Sequence, residues 1–268
     1  MAVDYKTLKK GGFMRQKQKN NFSLRLRVVG GNLTATQLAK VAEVAEKYGD
    51  GYVHLTSRQS VEIPFIKIDD IEDVKNALAE GNVEPGVCGP RVRTITACQG
   101  KEICPSGCID TYSLAKELDE RYFAKELPHK FKFGITGCQN NCLKTEENDL
   151  GIKGGMNVSW RESDCIHCGL CEKICRSKAI TIENDEIKID KSKCNFCGRS
   201  LVQQTLTIQW KVTLFHLVVF SVTQSIRVKQ SFLLLITKKS YLKFVTQQLI
   251  SLTKMQTLEK DLSLLLTE

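Results

Sequence analysis

The clearest alternation of apolar and polar positions lies in the stretch FSLRLRVV, residues 22–29. Leu24, Leu26 and Val28 share one face, and Arg25 and Arg27 share the other. This two-residue period predicts a half-buried strand that carries two guanidinium groups on its polar face. The glycine pair that follows is expected to end the strand.

A helix is predicted directly after this strand, in TATQLAKVAEVAEKYG, residues 34–49. Thr34 and Gln37 have the spacing of a capping box, and Gly49 is a typical helix end. The apolar stripe of the helix is expected at Leu38, Val41, Ala42 and Ala45.

Two further short strands are predicted on either side of residues 56–59, in YVHLTSRQSVEIPF. A second helix follows in IDDIEDVKNALAEG, with Ile71, Val74 and Leu78 on its inner face and Gly81 at its end. The order strand, helix, strand, strand, helix predicts an α+β fold with the helices on one face of a sheet.

The net charge of +9 changes this picture little. Residues 200–268 supply more than half of it, with eight basic against three acidic side chains, and no basic block occurs, so no nucleic-acid partner is expected. The first residues lack the apolar core of a signal peptide, which predicts a cytoplasmic protein. The apolar run at residues 212–226 is short and interrupted, so no membrane span is expected.

Twelve cysteines in a cytoplasmic chain indicate metal ligation before disulfides. Four form one pair separated by five residues and one separated by three, in TACQGKEICPSGC and ITGCQNNCLK. Thiolates from two such loops can hold a four-iron cluster, whereas these spacings fit a zinc ribbon poorly. The four are Cys98, Cys104, Cys138 and Cys142, and two extra cysteines, expected to be buried free thiols, are Cys88 and Cys108.

A second cysteine set, CIHCGLCEKIC, has the C-x2-C-x2-C-x3-C spacing of bacterial ferredoxins. In two-cluster ferredoxins the fourth cysteine of each run binds the other cluster, so two complete runs are needed. The second run starts at CNFC but has Ser200 and Gln204 where its last two cysteines would fall, which leaves three thiolates for each cluster. The cysteines of both runs are Cys165, Cys168, Cys171, Cys175, Cys194 and Cys197.

A third set is cationic and lies in HLTSRQ, GPRVRTITAC and LPHKFKFGITGC. Any one of these side chains alone would ordinarily be a solvated surface group. Arg93 is five residues before one cluster cysteine and Lys132 six before another, however, and cations near a metal centre would bind an oxyanion. Lys130 and Lys132, two apart on a predicted strand, are expected to point to the same side. The set is Arg58, Arg91, Arg93, Lys130 and Lys132.

Together these motifs closely resemble the siroheme-dependent nitrite/sulfite reductases, in particular the small anaerobic sulfite reductases with an inserted two-cluster ferredoxin domain. The resemblance extends over about residues 5–199. It implies an α+β chain with a ferredoxin-like half-domain at residues 1–82, a siroheme and 4Fe–4S domain at 83–158 and a truncated bacterial-type ferredoxin module at 159–199. The tail at 200–268 is expected to lack the family fold.

The resemblance also implies the roles of individual side chains. Cys98, Cys104, Cys138 and Cys142 would hold a 4Fe–4S cluster, with Cys142 also the axial thiolate of the siroheme iron. The sulfite-binding cations would be Arg58, Arg93, Lys130 and Lys132, and the contacts to siroheme carboxylates would come from Arg25, Arg27 and Arg91, with the choice between Arg25 and Arg27 open.

The function implied by this family is the six-electron reduction of sulfite to sulfide. The ferredoxin module, with up to two further 4Fe–4S clusters, would pass electrons inward from a donor protein such as a ferredoxin or a reductase subunit. Reduction of nitrite to ammonia needs the same number of electrons, so the substrate stays open between the two. The chain carries one of the two halves that share the site in larger members, which predicts a homo-oligomer or a partner subunit.

The last 69 residues differ in composition from the rest of the chain. All 18 glycines, five prolines and twelve cysteines precede residue 200. Average usage would place several glycines and prolines in a segment of this length. Two explanations are open, a divergent helical tail and a segment that is foreign to the first 199 residues.

Codon degeneracy favours the second explanation. Translated from the third base of each codon, residues 201–205 permit Cys-Pro-Thr-Asp, which would complete the second ferredoxin run. Residues 244–262 permit CDAAIDFFDKNANAGERF in the same frame, which resembles the closing segment of the family. We infer a frameshift near Ser200, and we expect a poorly active or inactive chain with a disordered or loosely helical tail.

Two other function classes compete with the reductase. A plain electron-transfer ferredoxin would explain Cys165 to Cys197 but leaves LTSRQ, KFKFG and the first cysteine set without a role. A non-catalytic iron–sulfur protein derived from the reductase would keep the motifs and lack turnover.

Overall fold

The computed structural model describes residues 4–202, 206–210, 213–218, 231–236, 245–247 and 249–251. The chain forms two compact units. The first, called here the N-terminal unit, contains residues up to Ala97, then Tyr112–Phe133, and the described residues from Val245 onward. The second, called the cysteine-rich unit, contains Cys98–Thr111 and the described residues of Gly134–Phe244. The domain limits drawn from the sequence stay a prediction.

The N-terminal unit is an α+β layer structure. Its sheet has the strand order β1-β2-β4-β3, and all neighbouring strands are antiparallel. The elements in chain order are α1 (Tyr5–Lys10), β1 (Phe13–Arg15), β2 (Asn21–Arg25), α2 (Ala35–Tyr48), β3 (His54–Leu55), β4 (Val61–Lys67), α3 (Ile71–Glu80), β5 (Thr96–Ala97) and α4 (Thr111–Tyr122).

The predicted alternation around β2 is confirmed. Leu24, Leu26 and Val28 are buried, while the two arginines between them are half-buried on the other face. The strand itself ends at Arg25, and the next residues continue in an extended path because Arg27 donates its amide to the carbonyl of Glu84.

Helix α2 begins as the sequence indicates. Thr34 accepts from the amide of Gln37, and the side chain of Gln37 accepts from the amide of Thr34, which completes the capping box. Its predicted stripe is only half right. Val41 and Ala45 are buried with Val44, which the prediction missed, whereas Leu38 and Ala42 are exposed because the inner face is rotated toward Val44.

The second predicted helix is α3, and its predicted inner residues Ile71, Val74 and Leu78 are buried. Gly81 lies at its C-cap. These side chains join those of the sheet and α2 in one hydrophobic core, whose largest fully buried members include Phe13, Phe22, Leu24, Leu26, Ile63 and Ile66.

The second half of the N-terminal unit is organised around Phe131. Its amide donates to the carbonyl of Arg91 and its carbonyl accepts from the amide of Arg93, which gives a bridge between Val92 and Phe131. The ring of Phe131 packs edge-on against Phe133. A strand was predicted at Lys130 and Lys132, but the structure has only this single bridge there, and β6 (Phe133–Thr136) begins one residue later.

The cysteine-rich unit contains mostly short strands. Strands β9 and β10, β8 and β11, and β12 and β13 form antiparallel pairs. After β6, its elements are β7 (Leu150–Lys153), β8 (Asn157–Trp160), α5 (Leu170–Ile174), β9 (Ile180–Glu183), β10 (Glu186–Ile189), β11 (Leu206–Trp210), β12 (Thr213–Val218) and β13 (Ser231–Ile236).

Close contacts between backbone segments hold this unit around its first cysteine loops. A Cβ atom at Gly154 would lie 2.3 Å from the carbonyl oxygen of Gly137. One at Gly107 would lie 2.5 Å from the amide nitrogen of Lys101. The Cys108 amide donates to the Gly137 carbonyl over 2.7 Å. The loops approach each other this closely only because glycine has no side chain.

The described part of the tail corrects the expectation of a disordered or loosely helical segment. Strands β11, β12 and β13 lie in it, and β11 pairs with β8 upstream of the ferredoxin module. Val245 and Leu249, in short helical turns, are buried, and the hydroxyl of Thr246 is 2.8 Å from that of Tyr122. The Gln204 position and the remaining tail residues lie outside the described residues.

Among the described residues, no helix is both long enough and apolar enough to cross a membrane.

Candidate anion cleft and cysteine sites

A cleft with a cavity volume of about 260 Å³ lies in the N-terminal unit. Five cationic side chains line it, and none of the described residues that line it is acidic. The sequence predicted all five as site residues, and they come from four separate parts of the chain. They are Arg25, Arg58, Arg93, Lys130 and Lys132.

The bridge at Phe131 explains why three of these cations converge. Lys130 and Lys132 flank Phe131, and Arg93 is hydrogen-bonded to it through the backbone. Both lysines therefore line the same cleft, as their spacing predicted, although no strand forms there. Arg93 is anchored by a 2.6 Å hydrogen bond from Nη1 to the carbonyl of Val87.

Arg58 reaches the cleft from the turn between β3 and β4. The turn is closed by a 2.9 Å hydrogen bond from the Thr56 amide to the Ser60 carbonyl, and Gln59 has a left-handed φ of 55°. The Arg58 guanidinium donates to the carbonyl of Thr94 over 3.1 Å. A backbone carbonyl anchor of this kind holds the position of the guanidinium without neutralising its charge.

The structure distinguishes the two arginines of β2 and its extension. Arg25 lines the cleft, where Glu62 accepts hydrogen bonds from its guanidinium. Arg27 instead makes ion pairs with Glu84 and with Asp119, whose side chain is only 1% exposed. Arg27 also stacks on the ring of Phe123. Arg27 therefore holds α4 in place, and Arg25 is the one at the cleft.

Arg91 was predicted to contact a cofactor, but it is not among the described residues that line the cleft. Its guanidinium donates to Glu126 over 2.6 Å, and Lys10 lies 3.5 Å from the same carboxylate oxygen. These two cations lower the pKa of Glu126.

The sequence reasoning missed the hydroxyl groups of the cleft. Thr56, Ser57, Ser60 and Thr94 also line it. Three of them flank Arg58 in the stretch LTSRQS, so their position beside a predicted site residue was the available signal. The Ser60 hydroxyl donates to the carbonyl of Leu26 over 2.6 Å, and the other three hydroxyls add hydrogen-bond donors beside the cations for the oxygen atoms of an anion.

In the cysteine-rich unit the four cysteines of the first set lie on two loops. Cys98 accepts a 3.0 Å hydrogen bond from the Gly137 amide. Burial raises the pKa of the Cys138 thiol, and the charges of Cys104, Cys98 and Cys142 add to this. The four sulfurs are thus close enough to interact electrostatically.

The loop from Cys138 to Cys142 is tied to β7 by side chains. Asn141, with a φ of 54°, accepts hydrogen bonds from the amide and hydroxyl of Thr145 at 3.1 and 3.0 Å. Its amide group donates to Glu146, which is paired with Lys153 on β7. Burial acts to raise the pKa of Glu146. The hydrogen bond from Lys153 outweighs this effect, and the pKa is lowered to about 2.

In the ferredoxin module, Cys165, Cys168 and Cys171 line one small cavity together with Ser200. Burial raises the pKa of Cys171, and the charges of the other two thiols act in the same direction. The packing beside this cavity comes from Ile180 and Ile187.

The remaining cysteines of the module are arranged differently. Cys175 is not among the described residues that line the cavity, and the Ala179 amide donates to its sulfur over 3.3 Å. The Phe196 amide donates to Cys194 over 3.4 Å. Burial raises the pKa of Cys108 to about 11, and the charges of Cys138 and Cys197 act in the same direction. Cys197 therefore lies near Cys108. Cys88 and Cys108 are buried, as expected.

Among the described residues, no three His, Cys, Asp or Glu side chains are grouped for a single metal ion. A four-iron cluster takes one cysteine at each of four separate iron atoms, so its ligands are spread more widely than those of one ion. The Cys138 thiol lies near those of Cys98, Cys104 and Cys142, which fits such a cluster, and the cation-lined cleft fits a group with several carboxylates.

Comparison with known proteins gives the class. The model of the nitrite/sulfite reductase ferredoxin-like half domain matches residues 14–81, and that of the nitrite and sulphite reductase 4Fe-4S domain matches residues 88–175. Together they match more than half of the chain, which belongs to the nitrite/sulfite reductase family.

Individual relatives agree. A subunit of the anaerobic sulfite reductase of Salmonella typhimurium is 32% identical over 197 residues, which cover 67% of this chain and 58% of that protein. The NAD(P)H nitrite reductase of Emericella nidulans is 32% identical over 151 residues, covering 54% of this chain and 14% of that protein. The chain thus spans less than two thirds of the length of either relative.

The fold is shared with a solved structure as well. The crystal structure of dissimilatory sulfite reductase I superposes with a TM-score of 0.62 at 18% identity, covering 84% of this chain and 60% of that one. This match supports the α+β fold with a ferredoxin-like half domain.

Proposed function

We propose that the chain is the siroheme- and 4Fe–4S-binding part of a reductase that converts sulfite to sulfide. The observation that carries the proposal is the convergence of Arg25, Arg58, Arg93, Lys130 and Lys132 on one cleft. Five cations without an acidic lining residue would strongly favour a small oxyanion or the carboxylates of a cofactor.

The cleft side chains would bind and polarise the substrate. Arginine stays protonated at any physiological pH and pairs with oxyanions through two parallel hydrogen bonds. Arg58 and Arg93 are anchored on backbone carbonyls, which do not neutralise the positive charge that would attract sulfite oxygens. Lys130 and Lys132 would complete the anion site and donate hydrogen bonds as S–O bonds weaken. Arg25 would contact a siroheme carboxylate.

The first cysteine set would hold the metal cofactors. Cys98, Cys104, Cys138 and Cys142 would bind a 4Fe–4S cluster, and Cys142 would also hold the siroheme iron. When bound, siroheme supplies the iron that takes the sulfur of sulfite and the redox equivalents for its reduction. The chain itself contributes the ligands, the cations and the hydrogen bond from the Gly137 amide to Cys98.

The test is direct. The purified protein should yield siroheme on acid–acetone extraction and should oxidise reduced methyl viologen only when sulfite is added. Protein that contains no siroheme would contradict the proposal. Siroheme without sulfite-dependent turnover would instead favour a non-catalytic iron–sulfur protein.

Nitrite is the second candidate substrate, because a nitrite reductase is among the relatives and the electron count is the same. Comparison of kcat/KM for sulfite and nitrite with the same dye decides between them.

The ferredoxin module would carry up to two further 4Fe–4S clusters, each short of one thiolate. Ser200 lines the cavity of the first three cysteines and occupies a ligand position of the second run. We expect Ser200→Cys to increase the iron bound per chain, measured by colorimetric iron assay. An unchanged iron content would argue against cluster binding by this module.

The tail bears on activity. A segment out of frame from Ser200 would lack the last ferredoxin ligands and the closing part of the catalytic fold, so sulfite-dependent turnover should be present but slow. Sequencing the gene around codon 200 tests the frameshift. Normal sulfite turnover together with complete ferredoxin absorbance would overturn the expected impairment.

The protein is proposed to act in the cytoplasm with an electron-donor protein, and as a homo-oligomer or beside a partner subunit that completes the site. Light scattering tests the assembly. A stable monomer with full siroheme occupancy would overturn this part of the proposal.

A further inference from the structure

The side chains that brace the Cys138–Cys142 loop form a continuous chain of hydrogen bonds. It starts at Asn141, directly before Cys142, passes through Glu146 and ends at Lys153 on β7. We propose that Asn141, Glu146 and Lys153 form a positioning relay that orients the Cys142 thiol by fixing its loop to β7. The inference rests on the proposed role of Cys142 as a cluster and siroheme ligand.

The Cys138–Cys142 loop needs these stabilising hydrogen bonds because of its own backbone conformation. Asn141 and Lys144 both have left-handed φ values, 54° and 49°, which non-glycine residues adopt rarely and at some cost. Cys142 lies between them and is exposed, so contacts of its own do not bury it. Its orientation therefore depends on how its neighbours are held.

The Asn141 side chain acts at the start of the relay. Its oxygen accepts two hydrogen bonds from Thr145, and its amide group donates to Glu146. The Lys144 amide donates to the Asn141 carbonyl over 2.9 Å. These bonds close the turn around Cys142 and set the left-handed conformation on its N-terminal side.

Lys153 is the fixed end of the relay. Its side chain is 10% exposed, and the strand that carries it is buried. Thr145 is fully buried against the same strand, where a Cβ atom on Gly151 would lie 2.6 Å from the Thr145 carbonyl oxygen. A buried cation needs a hydrogen-bonded anion, and Glu146 is that anion. Because Lys153 is buried, its ion pair fixes the position of the Glu146 carboxylate, and Glu146 in turn fixes the side chain of Asn141.

The informative variant is Lys153→Met, because it removes the buried cation while the half-exposed Glu146 carboxylate can be hydrated. Removal of Glu146 would instead leave the lysine buried without its anion and endanger folding. Lys153→Arg keeps the charge and should rescue. Glu147→Gln is the matched control, because Glu147 belongs to the same loop and pairs with Lys144 at the surface, where both side chains are more than 70% exposed.

Hydrogen exchange of the metal-free full chain measures how firmly the relay holds the loop, without any contribution from a cofactor. Loss of a charge-assisted hydrogen bond should raise the exchange rate of the amides at residues 141–148 about tenfold or more in Lys153→Met. Lys153→Arg and Glu147→Gln should exchange like the wild type. Wild-type exchange in Lys153→Met, or equal acceleration in Glu147→Gln, would overturn the relay.

The spectra of the siroheme-loaded protein report the orientation of Cys142. Lys153→Met should shift the visible absorption and low-temperature electron paramagnetic resonance spectra of the siroheme, while the far-ultraviolet circular dichroism of the protein stays that of the folded wild type. Unshifted spectra would overturn the positioning role. Wild-type protein that binds no siroheme would refute the proposed function instead, and the exchange experiment would still decide whether the brace exists.

Discussion

The two units of the chain use different means to present chemical groups. The N-terminal unit has a hydrophobic core between its sheet and helices, and its cleft cations project from strand β2, the turn before β4 and the backbone around the Val92–Phe131 bridge. The cysteine-rich unit presents its thiols on loops, which are held by close glycine contacts and side-chain hydrogen bonds. A cation cleft tolerates flexible side chains, whereas cluster ligands, the role that we propose for these thiols, need fixed directions.

The largest expected effect is a loss of bound cofactor when a cysteine of the cysteine-rich unit is replaced, but not when one of the N-terminal unit is replaced. Cys138→Ser should abolish siroheme and cluster binding at the first site, because serine does not replace the soft sulfur ligand that iron prefers there. Iron analysis and the siroheme absorption band measure it. Cys88→Ser is the control, since Cys88 is a buried thiol of the N-terminal unit outside the cluster set. Equal cofactor content in both variants would contradict the assignment.

The next effect should leave the cofactors in place and remove only catalysis. Lys130→Met deletes one exposed cation of the cleft, and we expect kcat for sulfite to fall by about 100-fold or more, as for the loss of one electrostatic donor in other enzymes. Steady-state dye oxidation checks it, with siroheme content unchanged. Lys116→Met, an exposed lysine elsewhere in the unit, should retain full activity.

A smaller effect probes the glycine contacts of the cysteine-rich unit. Gly154→Ala would place a Cβ atom 2.3 Å from the Gly137 carbonyl oxygen, and we expect a loss of about 1–3 kcal/mol in the free energy of unfolding. Urea unfolding of the metal-free protein measures it. Gly11→Ala, whose Cβ would meet only ordinary contacts at 3.6 Å and beyond, should change stability little. Equal effects would show that the close approach of Gly154 to Gly137 does not constrain the fold.

The smallest effect concerns pH. The pKa of Glu146 falls from 4.5 to about 2 on folding, so its ion pair contributes stability above pH 4.5 and loses it as the pH drops toward 2. The stability difference between wild type and Lys153→Met should therefore be constant from pH 7 to about 5 and shrink below. Urea unfolding at a series of pH values checks this. A difference that grows on acidification would contradict the lowered pKa.

Local patterns in the sequence determined much of the fold and the candidate site. The alternation of Leu24, Leu26 and Val28 and the capping box at Thr34 depend only on neighbouring residues, and both are confirmed. The cysteine spacings and the flanking cations indicated the family, which the comparisons show. Such features are readable because strand period, helix caps and ligand spacing are short-range properties.

Only the tertiary structure decided which distant positions pair with each other. Arg25 and Arg27 are equivalent in the strand pattern, and the buried Asp119 from α4 holds only Arg27. Arg91 pairs with Glu126, and β11 pairs with β8 across the ferredoxin module. The Glu146–Lys153 pair is visible only once β7 is placed. These outcomes depend on which surfaces meet in the folded chain, and a periodic pattern along one segment contains no information about its partner.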